Sequence, residues 1–367
     1  TSSKEGMEQL EMLIKRDRNR PSVFFWCIGN EEMLFAEERG RRILESLLAR
    51  TRQLDATRPV TAACDRPDNS TVYDNLDVVG INYGLDSYDA VHKKFPDRAV
   101  VSTECCATST TRGWYYDDFP AMGLTNCYDR DWSDWFRGRE RTWKFIDERE
   151  WVMGSYQWIG FDHRGETVWP RLSSCSGAID MFLLKKDAFW HNKALWTREP
   201  MIHLLPHWNH PGHEGEIIKD WAYTNCDSAE LFVDGVSRGK VELQPHDHAA
   251  WEVEYHPGKI EVVSYKDGRE CCRDAHETTT APVKLMLRCE TPDVKAGDTA
   301  VFTCYTLDSE GREVPTADPT VRFVVNKLGV ISGTGSAVYD HVRGTDIRSG
   351  KMHRKRYSRT VRLCRRT

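Results

Sequence analysis

The chain has 367 residues, 40% of them hydrophobic and 29% charged, with a formal net charge of −5. This is the balance of a folded chain of two or three domains rather than a disordered one. No apolar run approaches the roughly 18 residues of a membrane-spanning helix, and a net acidic chain offers no electrostatic case for a nucleic-acid partner.

The basic stretch Arg354-Lys355-Arg356, continued by Arg359, Arg362, Arg365 and Arg366, reads as a solvated tail or strand edge. Twelve cysteines, including the pairs Cys105-Cys106 and Cys271-Cys272, show no zinc spacing and no regular framework. They read as mostly buried free thiols in a reducing setting. Thirteen each of Trp, Tyr and Phe suit a protein that handles sugars, although aromatic residues also fill ordinary cores.

In chain order, Met7, Leu10, Leu13 and Ile14 stand at helical spacing and predict a helix over 7–18. An apolar strand is expected over 22–28, then an amphipathic helix over 36–54 with Ile43, Leu47 and Leu48 inward. Strands are expected over 58–64 and 76–83, a short helix over 88–96, and a strand over 98–104. A long amphipathic helix over 132–150 and a strand over 151–162 close this half. Near-continuous apolar strands alternating with helices indicate a parallel sheet covered on both faces. No GxGxxG follows the first strand, which argues against a dinucleotide fold and for a (β/α)8 barrel.

Beyond residue 200 the pattern becomes short alternating strands with Asp-Gly and Pro-Gly turns, the grammar of β-sandwiches. The expected domains are therefore 1–200, the C-terminal part of a barrel; 203–279, an immunoglobulin-like sandwich; and 280–367, a second such sandwich, truncated at its end.

Two of the apolar strands finish in carboxylates, at Ile28-Gly29-Asn30-Glu31 and Val101-Ser102-Thr103-Glu104. Strand C-termini open into the mouth of a parallel barrel, and two acids there suit glycoside hydrolysis. Singly, each acid could end its strand for solubility; the pair weakens that reading.

The segment "RDRNRPSVFFWCIGNE" resembles the acid/base segment of glycoside hydrolase family 2, and "VVSTECCATSTTRGWYY" resembles its nucleophile segment in bacterial β-galactosidases. "SYQWIGFDHRGE", "WPRLSSCSGAIDMFLLKKDAFW", "MIHLLPHWNHPG" and "YTNCDSAELFVDG" continue the resemblance in order. It implies a partial (β/α)8 TIM barrel, strands 4–8, followed by two immunoglobulin-like domains. Glu31 would be the general acid/base and Glu104 the nucleophile of a retaining double displacement. Asn30 would bond the sugar 2-hydroxyl, Tyr83 would keep the nucleophile ionised, and Trp158 would floor the sugar subsite. Seen without the resemblance, Asn30 could cap the next helix, Tyr83 and Trp158 could be core aromatics, and Glu32 rivals Glu31 for the acid role.

The implied substrate is a terminal β-galactoside in an oligo- or polysaccharide, with no nucleic-acid or membrane partner, and the reading is compatible with a homo-oligomer. β-Glucuronidase and β-mannosidase are the alternatives within the family, and a non-catalytic carbohydrate-binding or spacer arm is the alternative outside it. The Asn-x-Lys pair with which family glucuronidases hold a sugar carboxylate has a poor counterpart in the adjacent Asn192-Lys193. No organic cofactor is implied and no metal ligands are assigned, since those of some family members would lie upstream of Thr1. Strands one to three are likewise expected upstream, so the chain reads as a fragment. A periplasmic or secreted location fits the parent enzyme, and the cytoplasm stays open. Cys105-Cys106 and Arg20 depart from the family's usual residues.

Overall fold

The computed structural model describes residues 3–116, 123–169, 171–295, 297–317, 319, 321–325, 329–336 and 359–364. By contact, the chain divides into two compact units, Thr1–Thr108 with Arg130–Trp158, and Ser109–Asp129 with Ile159–Thr367.

The first unit opens on helix α1 (Lys4–Asp17). The Ser3 hydroxyl accepts the Gly6 amide at 3.1 Å, satisfying one of the donors a helix leaves unpaired at its start. Helix α2 (Glu38–Leu54) buries Leu44, Leu47 and Leu48, and its Arg50 bonds Glu11 of α1 at 2.8 Å. Helices α3 (Tyr88–Lys94) and α4 (Arg139–Asp147) follow later strands.

Five strands form one parallel sheet in sequential order: β1 (Trp26–Asn30), β2 (Val60–Cys64), β3 (Val79–Asn82), β4 (Val100–Cys105) and β5 (Val152–Gln157). Val60, Ala62 and Cys64 of β2, with Val79 and Ile81 of β3, share a core with Leu44, Tyr88, Val91 and Ile146 of the helices. The alternate residues Thr61, Ala63 and Asn82 are buried on the opposite face. Burial on both faces is why these strands read as continuous apolar runs rather than alternating ones. The sheet curls: Phe25, just before β1, meets Tyr156 of β5 edge to face at 6.1 Å.

Two expectations for this unit need correction. The first strand begins at Trp26, not Ser22. Pro59 accepts the Trp26 amide but has no N–H of its own to extend the ladder. The Val23 carbonyl is instead taken by the Arg58 side chain at 2.6 Å. The long helix over 132–150 is only Arg139–Asp147. Upstream of it the Ser133 hydroxyl accepts the amides of Trp135 and Phe136 at 3.3 and 3.1 Å. A serine that bonds its own backbone neighbours competes with the helix.

In the second unit, β6 (His163–Arg164) and β7 (Ser173–Ser174) pair, and helix α5 spans Asp187–Trp196. The contacts divide the chain elsewhere than at the expected residue 200, because 109–129 and 159–200 knit to the strands beyond it. Buried His191 of α5 bonds Asp129 at 3.0 Å and stacks on Tyr223 at 4.2 Å. Fully buried Lys186 donates to Asp162 at 2.9 Å and to the carbonyls of Thr110 and Cys175 at 2.8 Å each.

Seven strands then make two antiparallel sheets. One is β8 (Ile202–Leu205), β9 (Ile217–Thr224) and β12 (Ala249–Glu254). The other is β10 (Ser228–Val233), β11 (Val236–Glu242), β13 (Lys259–Lys266) and β14 (Arg269–Glu277). Leu204, Ile218 and Val253 from the first share one core with Leu231, Ile260 and Val262 from the second. The hairpins β10–β11 and β13–β14 close on Asp234-Gly235 and Asp267-Gly268, with φ of 48° and 77°, and 51° and 72°. Two successive left-handed residues give the turn whose twist matches paired strands. A four-stranded sheet follows, ordered β15 (Lys284–Cys289), β16 (Thr299–Leu307), β18 (Arg359–Cys364) and β17 (Val330–Ser336). The run Arg354-Lys355-Arg356 lies outside the described residues.

Cys64, Cys105, Cys127, Cys175 and Cys226 are buried free thiols, Cys106 and Cys304 are also buried, and Cys27 and Cys271 are exposed. Among the described residues no helix is long and apolar enough to cross a membrane, and no cluster of His, Cys, Asp and Glu could hold a metal.

Asp220 of β9 is fully buried, and neither carboxyl oxygen finds a donor among the described residues. Burial pushes this carboxyl from its ordinary 3.8 up to about 8. The folded chain therefore keeps a proton that the unfolded chain releases, so stability declines as pH rises between those values and the loss is complete above the higher one. Asp220→Asn should leave stability near pH 3 unchanged and raise it at pH 9 by about 2 kcal/mol or more. Urea unfolding at the two pH values checks this.

Candidate active site

β1 ends at Asn30, and the chain turns at Glu31, whose φ is 49°. β3 ends at Asn82 and turns at Tyr83, whose φ is 54°. Successive side chains of an extended strand point to opposite faces. A left-handed residue breaks that alternation, at a cost of about 1–3 kcal/mol for a non-glycine. Asn30 and Glu31 consequently reach the same partner: the Asn82 amide donates to Glu31 Oε1 at 2.8 Å and to Asn30 Oδ1 at 3.2 Å. Both turns are held by backbone bonds, from Glu31 N–H to the Ala63 carbonyl at 2.9 Å and from Tyr83 N–H to the Glu104 carbonyl at 2.7 Å.

Half-buried Glu104 lies near the end of β4, and the Tyr83 hydroxyl donates to its Oε2 at 2.7 Å. Burial, then the bond to Glu104 and the nearby negative charges of Glu104 and Glu31, push the Tyr83 phenol well above its ordinary range. Tyr83 therefore stays a neutral donor, suited to holding Glu104 ionised. Its ring is braced edge to face by Phe136 at 4.8 Å.

Trp158 follows β5 directly and is half-buried, and its amide donates to the Cys105 carbonyl at 2.8 Å, one residue past Glu104. Glu32 is exposed, makes no side-chain hydrogen bond among the described residues, and starts a single 3₁₀ turn, Met33–Ala36. Asn30 does not cap that turn; the capping position is Glu32. The structure thus gathers Asn30, Glu31, Tyr83 and Glu104 through side chains and joins Trp158 to the same strand end through its backbone.

Cys105 and Cys106 occupy buried positions after Glu104, with their sulfurs 3.2 Å apart and Cys106 at a φ of 59°. Asn192 is buried on α5 while Lys193 is exposed and lies over the Trp190 ring, so the two do not form a pair.

Asn82 escaped the sequence reading, although a polar residue ending the apolar run "VVGIN" was a usable signal. So did Trp135, 39% exposed beside an open cleft of about 460 Å³ that is also lined by Asp65, Asp68, Asp86 and Asp134. Its position depends on the loop at Ser133, for which the sequence carries no periodic mark.

Consecutive parallel strands that present two carboxylates at their C-terminal ends, one of them held by a buried tyrosine, have the layout of barrel glycoside hydrolases. Residues 1–112 match the TIM barrel domain of the family 2 glycosyl hydrolases, and residues 215–272 match a domain of unknown function. The chain is 32% identical over 387 residues to the β-galactosidase BoGH2A of Bacteroides ovatus, covering 88% of this chain and 44% of that protein. It is 25% identical over 341 residues to a β-glucuronidase of Formosa agariphila, covering 88% and 33%. A crystal structure of a β-glycosidase from Bacteroides vulgatus superposes with a TM-score of 0.85 at 30% identity, covering 98% of this chain and 50% of that one. The chain belongs to glycoside hydrolase family 2. It spans half or less of the length of these relatives.

Proposed function

We propose that this chain carries the acid/base and the nucleophile of a retaining β-glycosidase acting on terminal β-galactosides. The observation that carries the reading is the bracket at the end of β3, where adjacent Asn82 and Tyr83 hold Glu31 on one side and Glu104 on the other. Glu104 attacks the anomeric carbon while protonated Glu31 donates to the departing oxygen. Glu31 then takes a proton from water, which cleaves the glycosyl–Glu104 ester. The mechanism requires carboxyl groups about 5–5.5 Å apart. Asn30 is assigned the sugar 2-hydroxyl and Trp158 the floor of the subsite, and no cofactor or metal is invoked. The strands over 203–279 support an immunoglobulin-like module by their two sheets on one core; a second is assigned to 280–367.

A galactoside is favoured over a glucuronide because the Asn-x-Lys pair of the family's glucuronidases has only the adjacent Asn192-Lys193 as counterpart, with Asn192 buried and Lys193 exposed over the Trp190 ring. The names of several relatives support the glucuronide as the second reading.

The test is release of nitrophenol from nitrophenyl β-galactoside, β-glucuronide and β-mannoside, by this chain and by the polypeptide extended upstream to its relatives' length. Galactoside turnover by either form supports the proposal. Turnover of the glucuronide alone shifts the substrate, and silence of both forms on all three leaves a carbohydrate-binding or spacer arm. In the active form, Tyr83→Phe should lower kcat by about 10- to 100-fold, the worth of one hydrogen bond to a charged group. An unchanged melting temperature would separate that loss from unfolding.

A further inference from the structure

Asn82 is wholly buried, and each part of its amide is engaged. Nδ2 donates to Glu31 Oε1 at 2.8 Å and Asn30 Oδ1 at 3.2 Å, while Oδ1 accepts the Thr103 hydroxyl at 2.6 Å. Carboxylate oxygens only accept, so the amide must turn its N–H groups towards Glu31, and Thr103 fixes it in that sense. Thr103 immediately precedes Glu104, and Tyr83, which bonds Glu104, immediately follows Asn82. Two adjacent residues at the end of β3 therefore tie the acid that follows β1 to the acid on β4. The tie is made at two left-handed turns, Glu31 and Tyr83, strained positions for residues other than glycine.

We propose that Asn82 is a positioning residue for Glu31, locking the side chains of Asn30 and Glu31 in one orientation. This inference rests on the glycosidase reading above. A fixed carboxyl orientation serves both displacements, since the same oxygen must first give a proton to the departing oxygen and then take one from water. Among the described residues, Tyr83 after β3 feels the charges of Glu104, Glu31 and Cys105 of β4, and Cys27 on β1 feels that of Glu104. Among the described residues, only Asn82 has a side-chain bond to Glu31.

The test uses the form that hydrolyses an aryl glycoside in the assay above. Asn82→Asp keeps the size and the acceptor for Thr103 but sets a second carboxyl against Glu31. The pair must then share a proton, and the alkaline limb of the kcat/KM profile should move up by about one pH unit or more. Thr103→Val releases the amide and tests the same role without changing Asn82. It should lower kcat/KM by about 2- to 10-fold more for a poor leaving group than for dinitrophenol. If Asn82→Asp fails to fold, as judged by its melting curve, Thr103→Val decides the matter. An unmoved alkaline limb in folded Asn82→Asp, or equal losses on both leaving groups in Thr103→Val, overturns the role of Asn82. Either result leaves the glycosidase reading intact, whereas an inactive parent enzyme overturns both.

Discussion

Glu104→Gln is expected to lower kcat/KM on a nitrophenyl glycoside by about 10⁴-fold or more, the scale on which covalent catalysis fails without its nucleophile. The amide is nearly isosteric with the carboxylate, and the Tyr83 hydroxyl can still donate to its oxygen, so folding should be spared. Removing the side chain altogether gives a sharper result. In Glu104→Gly, azide can enter from the side the nucleophile attacks, displace the aryl leaving group and yield the α-glycosyl azide, with inverted configuration. Nuclear magnetic resonance of the product distinguishes this from the β-anomer. A β-azide, or near-normal turnover without azide, would remove Glu104 from the nucleophile's role.

Glu31→Ala is expected to act selectively. With dinitrophenol as leaving group, departure needs no proton and the first displacement should survive. With a sugar or an alkyl alcohol, loss of general acid catalysis should cost about 10²- to 10⁴-fold. Azide should restore turnover here as the β-glycosyl azide, with retained configuration, because it replaces water in the second displacement. Equal loss on both leaving groups would count against the acid role, and a matching selectivity in Glu32→Ala would transfer it to the neighbour. The structure argues against that transfer: both acids are exposed, but Glu31 has the buried Asn82 amide to orient it, whereas Glu32 has no side-chain hydrogen bond among the described residues.

The sequence alone determined a good deal. Continuous apolar runs marked the parallel strands because a sheet buried on both faces tolerates no polar alternation, as β2 and β3 show. Asp234-Gly235 and Asp267-Gly268 marked hairpins because few other residue pairs accept two left-handed positions in succession. The motifs at Glu31 and Glu104 placed two acids at strand ends, since register along a strand is local. Elements governed by competition were not legible. Ser133 bonding its own backbone cut a helix that amphipathicity had extended, and Pro59, an element away, set where β1 begins.

The tertiary structure alone decided what holds Glu31, whereas Tyr83 as the partner of Glu104 was expected only from the family resemblance. Asn82 lies 51 residues from Glu31, and Tyr83 lies 21 from Glu104. No spacing rule connects such pairs; neighbouring parallel strands do, because they bring distant residues into register. The positive φ at Glu31 and Tyr83 likewise follows no local propensity. It is imposed where two strand ends must each present consecutive side chains to one site, a demand that arises only once the sheet has formed.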